Sequence, residues 1–152
     1  MTCLNSQVHS GRDVTKTDPL RLETFQAHDM GLLGYADPDG EVVFYRRPER
    51  KHTMDTPFEV AGLGELPRVD IVSLYAGGDD LLINAVRRQG SSGVVIAGVG
   101  GGSGEGVVKE RAMEAMRDGR AVVLASRTAN GRAVITPERA KDGLIGADNL
   151  LP

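Results

Sequence analysis

The part of the chain after Pro67 contains four short apolar runs, at residues 69–75, 93–99, 121–127 and 143–147. They are rich in Val and Ile and are nearly continuous, without the alternation of apolar and polar residues that marks a half-exposed strand. Strands buried on both faces of a parallel sheet have this pattern. Helix-like stretches separate the runs, and strand–helix–strand units of this kind form right-handed crossovers. From about residue 67 onward we therefore predict an open α/β sheet.

Two helices are predicted between the first three strands, from their end signals. In the first, Asp79 or Asp80 can cap the N-terminus and Gly90 can close the C-terminus. The second can begin at Ser103 or at the glycine after it, and Gly119 is its predicted stop.

The first 67 residues carry a different pattern. Residues 32–46 contain two apolar stretches around Asp-Pro-Asp-Gly at 37–40, which predicts a β-hairpin whose glycine supplies a positive φ. Residues 47–67 have three prolines and little periodicity, so we interpret them as a connecting segment. Residues 1–5 are typical of the end of a buried strand that runs into a polar loop at 6–13.

Both ends of the chain resemble the ends of a cut segment. A strand that starts at residue 1 lacks the flanking residues that usually lead a chain into a sheet. The C-terminus stops at a leucine pair followed by Pro152. Proline is favoured in the first turn of a helix, so we expect a further helix beyond Pro152.

Composition excludes several classes of function for the 152 residues. Apolar residues make up 40% and charged residues 26%, and the net charge of −3 gives no reason to expect nucleic acid or an anionic membrane as a partner. No apolar run approaches the roughly 18 to 20 residues of a membrane span. Cys3 is the only cysteine and the three histidines lack metal-ligand spacing, so we expect no metal and no cofactor.

A glycine-rich segment at residues 97–106 follows the second predicted strand. Ligands of open parallel sheets bind beyond the carboxyl ends of the strands, and Ser103 offers a hydroxyl there. The glycines do not have the spacing of a dinucleotide fingerprint, and no P-loop lysine follows. Local sequence leaves two interpretations open, a ligand-binding loop and a flexible turn in which Ser103 caps a helix.

The segment at residues 126–143 is long for a strand-to-helix connection, and long ordered loops are often functional. Glu138 follows Pro137 in a predicted first helical turn. Taken alone, this carboxylate is better explained as a complement to the helix N-terminus than as a ligand-binding group.

The segment GRDVTKT at residues 11–17 places Lys16 between two threonines. It can be a polar turn with a solvated lysine, or it can hold a lysine whose proton takes part in chemistry. Thr15 and Thr17 are adjacent to Lys16, and adjacent residues of an extended segment point to opposite faces. Local sequence does not decide between the two.

Six motifs occur in the order seen in the bacterial L-asparaginase family of amidohydrolases: HSGRDVTKT, GLLGY, RRPERKHTMDTPF, LPRVDIV, AGVGGGS and SRTANG. The chain resembles the C-terminal half of such an enzyme. The resemblance implies that residues 1–60 are the end of a larger N-terminal α/β domain plus a linker. Residues 61–152 then form a smaller, flavodoxin-like α/β domain with a parallel sheet.

In that family asparagine is hydrolysed to aspartate and ammonia through a threonine nucleophile, and a second threonine, a lysine and an aspartate serve the reaction. The resemblance implies that Lys16 is this lysine, hydrogen-bonded to a threonine elsewhere in the protein and not to Thr15 or Thr17. The nucleophile, the second threonine and the aspartate belong to the N-terminal half, so the chain alone is expected to be inactive.

Two substrate-binding positions also carry over by resemblance. Active sites of the family lie between subunits of a homo-oligomer, usually a tetramer, and the partner's C-terminal domain holds the substrate with a loop residue and a glutamate. These match Ser103 and Glu138. Other members have asparagine at the first position, which leaves open the balance between L-asparagine and L-glutamine. Compartment is also left open.

A second hypothesis belongs to a different class. The chain can be a non-catalytic α/β module that holds a small amino acid or an anion at the glycine loop. The two hypotheses differ in whether a threonine nucleophile precedes this segment in the whole protein.

Overall fold

The computed structural model describes residues 1–101 and 106–152, and these divide into two compact units, Met1–Gly64 and Glu65–Pro152. No helix in the described ranges is long and apolar enough to cross a membrane.

The first unit consists of short antiparallel strands. Its described sheet has the order β1-β2-β5-β6, and a separate pair is formed by β3 and β4. The six strands are β1 (Thr2–Leu4), β2 (Gln7–His9), β3 (Thr15–Lys16), β4 (Phe25–Gln26), β5 (Gly34–Ala36) and β6 (Val42–Phe44).

The start of the chain differs from the prediction of a buried strand followed by a loop. β1 lies at the edge of its sheet and is largely exposed, and the polar residues after it form β2. Leu4 pairs with Gln7, so Asn5 and Ser6 make a two-residue turn in which φ is 50° and 60°. Positive φ at both turn residues is the geometry that joins twisted antiparallel strands.

The predicted β-hairpin at residues 32–46 is confirmed as β5 and β6. Its turn closes through a 3.0 Å hydrogen bond from the Gly40 amide to the Asp37 carbonyl, and Gly40 has a φ of 89°. The segment after β6 is irregular apart from a 3-10 turn at Thr53–Asp55, as expected for a connection.

The second unit contains, within the described residues, a four-stranded parallel sheet of order β10-β9-β8-β7. The α/β class predicted from the apolar runs is confirmed. Strands follow one another in chain order, so the sheet lacks the reversal of strand order found in a flavodoxin-like arrangement. The elements are β7 (Val69–Ser73), α1 (Leu81–Arg88), β8 (Gly93–Gly98), α2 (Val107–Arg117), β9 (Ala121–Ser126), α3 (Pro137–Lys141) and β10 (Ile145–Gly146).

The core of the second unit lies between one face of the sheet and the first two helices. Its buried residues come both from the strands and from the inner sides of α1 and α2. They are Val72, Ile83, Val94, Ile96, Val108, Ala112, Ala115, Val122 and Leu124. On the other face, four residues that are register partners on neighbouring strands form a row across the sheet: Ile71, Val95, Val123 and Ile145.

The helix ends agree with the predicted signals where they are described. The Leu81 amide donates to the Asp79 carboxylate at 3.0 Å, and Gly90 and Gly119 follow the helices with φ of 75° and 82°. The predicted start of α2 at Ser103 or the next glycine lies outside the described residues. The described helix begins at Val107.

Candidate active site

The GRDVTKT segment begins with a turn that Ser10 organises. The Ser10 carbonyl accepts hydrogen bonds from the amides of Asp13 (3.2 Å) and Val14 (3.1 Å). The Arg12 amide donates to the Ser10 hydroxyl at 3.3 Å. This turn redirects the chain from β2 into β3, which places Lys16 on an ordered strand.

Lys16 lies opposite Phe25 in the β3–β4 pair, and its side chain is exposed. The next residue, Thr17, is engaged with Thr24. Its amide and its hydroxyl both donate to the Thr24 carbonyl, at 2.7 and 2.9 Å. The hydroxyl of Thr17 is therefore tied to its own loop, while Lys16 is exposed.

The loop after Lys16 is fixed by Asp18 and Thr24. The Asp18 carboxylate accepts from the amides of Leu20 (2.8 Å) and Arg21 (2.9 Å), and these two bonds hold its pKa below the usual range. The buried Thr24 hydroxyl donates to the Asp18 carbonyl and accepts from the Asp18 amide. These bonds order the loop that joins β3 to β4.

His9 lies in β2, two residues before the turn, and is 3% exposed. Its Nε2 lies 3.2 Å from the Gln7 side-chain oxygen, and its Nδ1 is buried with no hydrogen-bond partner among the described residues. Desolvation lowers the pKa of the imidazole, so the ring is neutral at pH 7. His9 is a buried neutral group, whereas Lys16 is exposed.

In the second unit, the carboxyl ends of β8 and β9 meet at Ser126, which pairs with Gly98 in the parallel register. Ser126 is 6% exposed, and its hydroxyl donates to the Gly100 carbonyl. The Thr128 amide donates to the Ser126 hydroxyl at 3.2 Å, and the hydroxyls of these two residues are 2.7 Å apart. The loop after β8 and the loop after β9 are therefore joined at their bases.

Glu138 lies in the first turn of α3, as the sequence predicts. Thr136 caps this helix, with its hydroxyl accepting from the Arg139 amide at 3.4 Å, and Pro137 is the first helical residue. The Glu138 carboxylate is exposed, and its own backbone amide, followed by the Thr136 hydroxyl, lowers its pKa. It is a carboxylate anion at neutral pH.

Two of the three predicted site residues lie in the described part of the chain. Lys16 belongs to the first unit, Glu138 belongs to the second, and Ser103 lies outside the described residues. Residues 1–101 and 106–152 hold no group of three or more His, Cys, Asp or Glu side chains that could bind a metal ion. The sequence interpretation did not single out Ser126 or Thr128, although a polar residue at the end of a buried strand was a visible signal.

Comparison with known proteins identifies the family. A family model described as the glutaminase/asparaginase C-terminal domain matches residues 68–152, which is more than half of the chain. The chain belongs to the glutaminase/asparaginase family.

Individual relatives extend this likeness to the whole chain. It is 40% identical to L-asparaginase 2 of Escherichia coli, with all of this chain and 44% of that protein aligned. It is 37% identical to L-asparaginase 2 of Bacillus subtilis, with all of this chain and 40% of that protein aligned. The crystal structure of a probable cytoplasmic L-asparaginase from Campylobacter jejuni matches with a TM-score of 0.92 at 35% identity, over 98% of this chain and 48% of that one. The chain spans less than half the length of these glutaminase/asparaginase relatives.

Proposed function

We propose that this chain is the C-terminal portion of an amidohydrolase that converts L-asparagine and water into L-aspartate and ammonia. The observation that carries the proposal is the alignment of the whole chain with L-asparaginases at up to 40% identity. On this proposal residues 1–60 end the larger catalytic domain and residues 61–152 form the smaller one. The division of the structure near Gly64 supports that boundary.

Lys16 is proposed as the catalytic lysine. A neutral lysine amine can accept the proton of a threonine hydroxyl that attacks the substrate amide and, as the ammonium, return it. Lys16 is exposed and lies on a strand where it pairs with Phe25. This supports the role, because the side chain is accessible to a residue from elsewhere in the protein. The attacking threonine is proposed to belong to the preceding part of the whole protein.

The proposed reaction has two steps. The threonine oxygen bonds to the amide carbon, the C–N bond breaks, and the nitrogen leaves as ammonia after gaining a proton. Water then attacks the resulting ester, which releases aspartate and restores the threonine hydroxyl. Because this chain holds only the lysine of that set, the chain alone is expected to be inactive.

Ser103 and Glu138 are proposed to bind the substrate from a neighbouring subunit of a homo-oligomer. Glu138 is ionised at neutral pH, and a carboxylate anion pairs with the α-ammonium group of a free amino acid. The hydroxyl of Ser103 adds a neutral polar contact. L-Glutamine shares the α-ammonium group and the amide, and is proposed as a second substrate.

A hybrid protein tests this function. Residues 1–152 replace the matching segment of the Escherichia coli relative, and ammonia release is measured with L-asparagine and L-glutamine. We expect activity with L-asparagine, and a loss of about a hundredfold or more in kcat for Lys16→Ala, since proton transfer by a side chain contributes roughly 10² to 10⁴. Glu138→Ala should raise KM because the ammonium loses its partner.

Matched variants control for charge and position. Lys109→Ala removes another exposed lysine, and Glu110→Ala removes another glutamate from the first turn of a helix. Both should retain the activity of the hybrid. A folded hybrid that releases no ammonia, while its Escherichia coli parent does, would favour the non-catalytic binding module. Equal activity of Lys16→Ala and the hybrid would remove the lysine from the mechanism.

A further inference from the structure

We propose that Ser126 is a positioning residue for substrate binding, which ties Gly100 in the glycine loop to Thr128 in the loop that follows β9. The inference rests on the proposed function, because it assumes that these two loops present Ser103 and Glu138 to the substrate. It concerns contacts within the second unit alone.

Gly100 and Gly101, in the described part of the glycine loop, have no side chains that could fix their conformation by packing. Gly100 has a φ of 59°, and a Cβ built at Gly100 or Gly101 would have no atom within 4 Å. Glycine has a larger range of backbone conformations than any other residue, and a segment without packed side chains is ordered only by hydrogen bonds. The bond from the Ser126 hydroxyl to the Gly100 carbonyl is such a restraint.

Ser126 is itself held firmly. It is buried at the end of a central strand, its register neighbour is Gly98, and the Arg127 amide donates to the Gly98 carbonyl at 3.1 Å. The restraint on Gly100 therefore begins from a residue of the sheet. Gly100 precedes Ser103 by three residues in the sequence, and Ser103 itself lies outside the described residues.

The same hydroxyl also orders the second loop. The hydroxyl oxygen of Thr128 lies 2.7 Å from the hydroxyl oxygen of Ser126. The Thr128 hydroxyl can also donate to the Asn130 carbonyl at 3.0 Å. Each hydroxyl has one proton. When Ser126 donates to Gly100, it can only accept from Thr128, which makes Ser126 the common point of the two loops.

This arrangement predicts different effects for the two hydroxyls. Ser126→Ala removes the bond to Gly100 and both bonds to Thr128. Thr128→Val keeps the shape of the side chain and leaves the bond from Ser126 to Gly100 intact. Misplacement of a substrate contact by about 1 Å can cost roughly a hundredfold in rate. We expect Ser126→Ala to have the larger effect.

The first experiment measures backbone order parameters of Gly100 and Gly101 from ¹⁵N relaxation by NMR in this 152-residue chain. The Gly100 carbonyl accepts the bond from Ser126, so loss of that bond should increase the mobility of this peptide unit. The order parameters should fall to about 0.6 or below in Ser126→Ala, against about 0.85 for rigid backbone, and should change little in Thr128→Val. Ser126→Thr keeps the hydroxyl and should restore the higher values. Unchanged order parameters in Ser126→Ala would overturn the inference.

The second experiment measures KM and kcat in the hybrid with the Escherichia coli relative. Ser126→Ala should raise KM for L-asparagine by about tenfold or more, with a smaller change in kcat. Ser91→Ala is the matched control, because Ser91 is also buried and its hydroxyl bonds to the carbonyls of Arg68 and Gly93 at the other end of the sheet. It should lower stability without raising KM.

The outcomes separate the two proposals. An inactive hybrid, together with a lower order parameter at Gly100 in Ser126→Ala, contradicts the proposed function and supports the restraint on Gly100. An active hybrid whose KM is the same with Ser126→Ala contradicts the positioning role and leaves the proposed function in place.

Discussion

At the scale of one residue, Gly34 marks the closest approach between β5 and β6. A Cβ at this position would lie 2.0 Å from the Val43 carbonyl oxygen and 2.9 Å from the Cα of Phe44. Both neighbours are backbone atoms of the paired strand, so they cannot move without breaking the ladder. A residue with a Cβ atom therefore does not fit at the second glycine of the GLLGY motif.

Gly34→Ala should destabilise the first unit by roughly 1 to 3 kcal/mol, the usual range for overpacking of a closely packed site. Gly64→Ala is the matched control, since a Cβ there would have no atom within 4 Å. Surface substitutions of that kind change stability by only about 0.5 kcal/mol. Urea unfolding followed by circular dichroism compares the two. Equal midpoints would show that the strands separate easily at Gly34.

Sequence predicted where Glu138 lies on its helix, because proline and a preceding threonine mark a helix start locally. The contact of Ser126 with the Gly100 carbonyl could not be predicted in this way. The two residues are 26 apart, and the acceptor is a backbone group that leaves no trace in the sequence. Lys16 was found through a motif, and the roles of Lys16, Ser103 and Glu138 stay predictions.

At the scale of the element, prediction succeeded where the pattern was long enough. β8 and β9 each have six residues of almost continuous Val, Ile, Leu and Ala, which few structures other than a buried strand can accommodate. The strands that were missed, β2, β3 and β4, have two or three residues. Strands this short show no periodicity, and the turn at Asn5 and Ser6 lacks the glycine that usually signals a hairpin.

Ion pairs connect α1 and α2, in addition to their apolar contacts in the core. Arg87 in α1 donates to Asp118 at 2.8 Å and to Glu114 at 2.6 Å, and Arg111 in α2 donates to Asp80 at 2.8 Å. Arg111 also pairs with Glu114, which closes a continuous network. The side chains are about one-fifth to two-fifths exposed, so the network lies at the rim of the helix pair.

This network predicts a pH dependence of stability for the second unit. Hydrogen bonds from Arg87 lower the pKa of Asp118, and hydrogen bonds from Arg111 lower the pKa of Asp80. Because the folded pKa values lie below the unfolded value of about 4, the stabilisation is fully present above that pH. It is lost as the pH falls through the folded pKa values.

Arg87→Gln should therefore lower the urea midpoint at pH 7, and the difference from the unaltered chain should shrink as the pH falls from about 4 to 2. Arg88→Gln, at the adjacent exposed position of α1, serves as the control for net charge. It should give a smaller shift. A deficit of the Arg87 variant that is the same at pH 2 and pH 7 would mean that packing of the arginine stem, and not ionisation of Asp118, stabilises the pair.

At the scale of the whole second unit, the order of the strands decides which face of the sheet is covered. The four described strands follow one another in chain order, and right-handed crossovers in one direction place their helices on the same side. The core formed with α1 and α2 lies on that side. The opposite face presents Ile71 and Ile145, which are 58% and 50% exposed, next to Val95 and Val123.

Parallel sheets are normally covered on both faces, so this apolar row should drive association of the 152-residue chain. Sedimentation equilibrium should show concentration-dependent dimers or larger species, and Ile71→Thr combined with Val123→Thr should weaken association by about tenfold or more. The reason is that burial of one large aliphatic side chain contributes roughly as much free energy as a tenfold change in affinity requires. Val134→Thr changes a side chain that is 61% exposed and lies outside the strands, and should leave association unaltered. A chain that stays monomeric, or one in which Val134→Thr acts as strongly as the double variant, would show that this face of the sheet does not direct association.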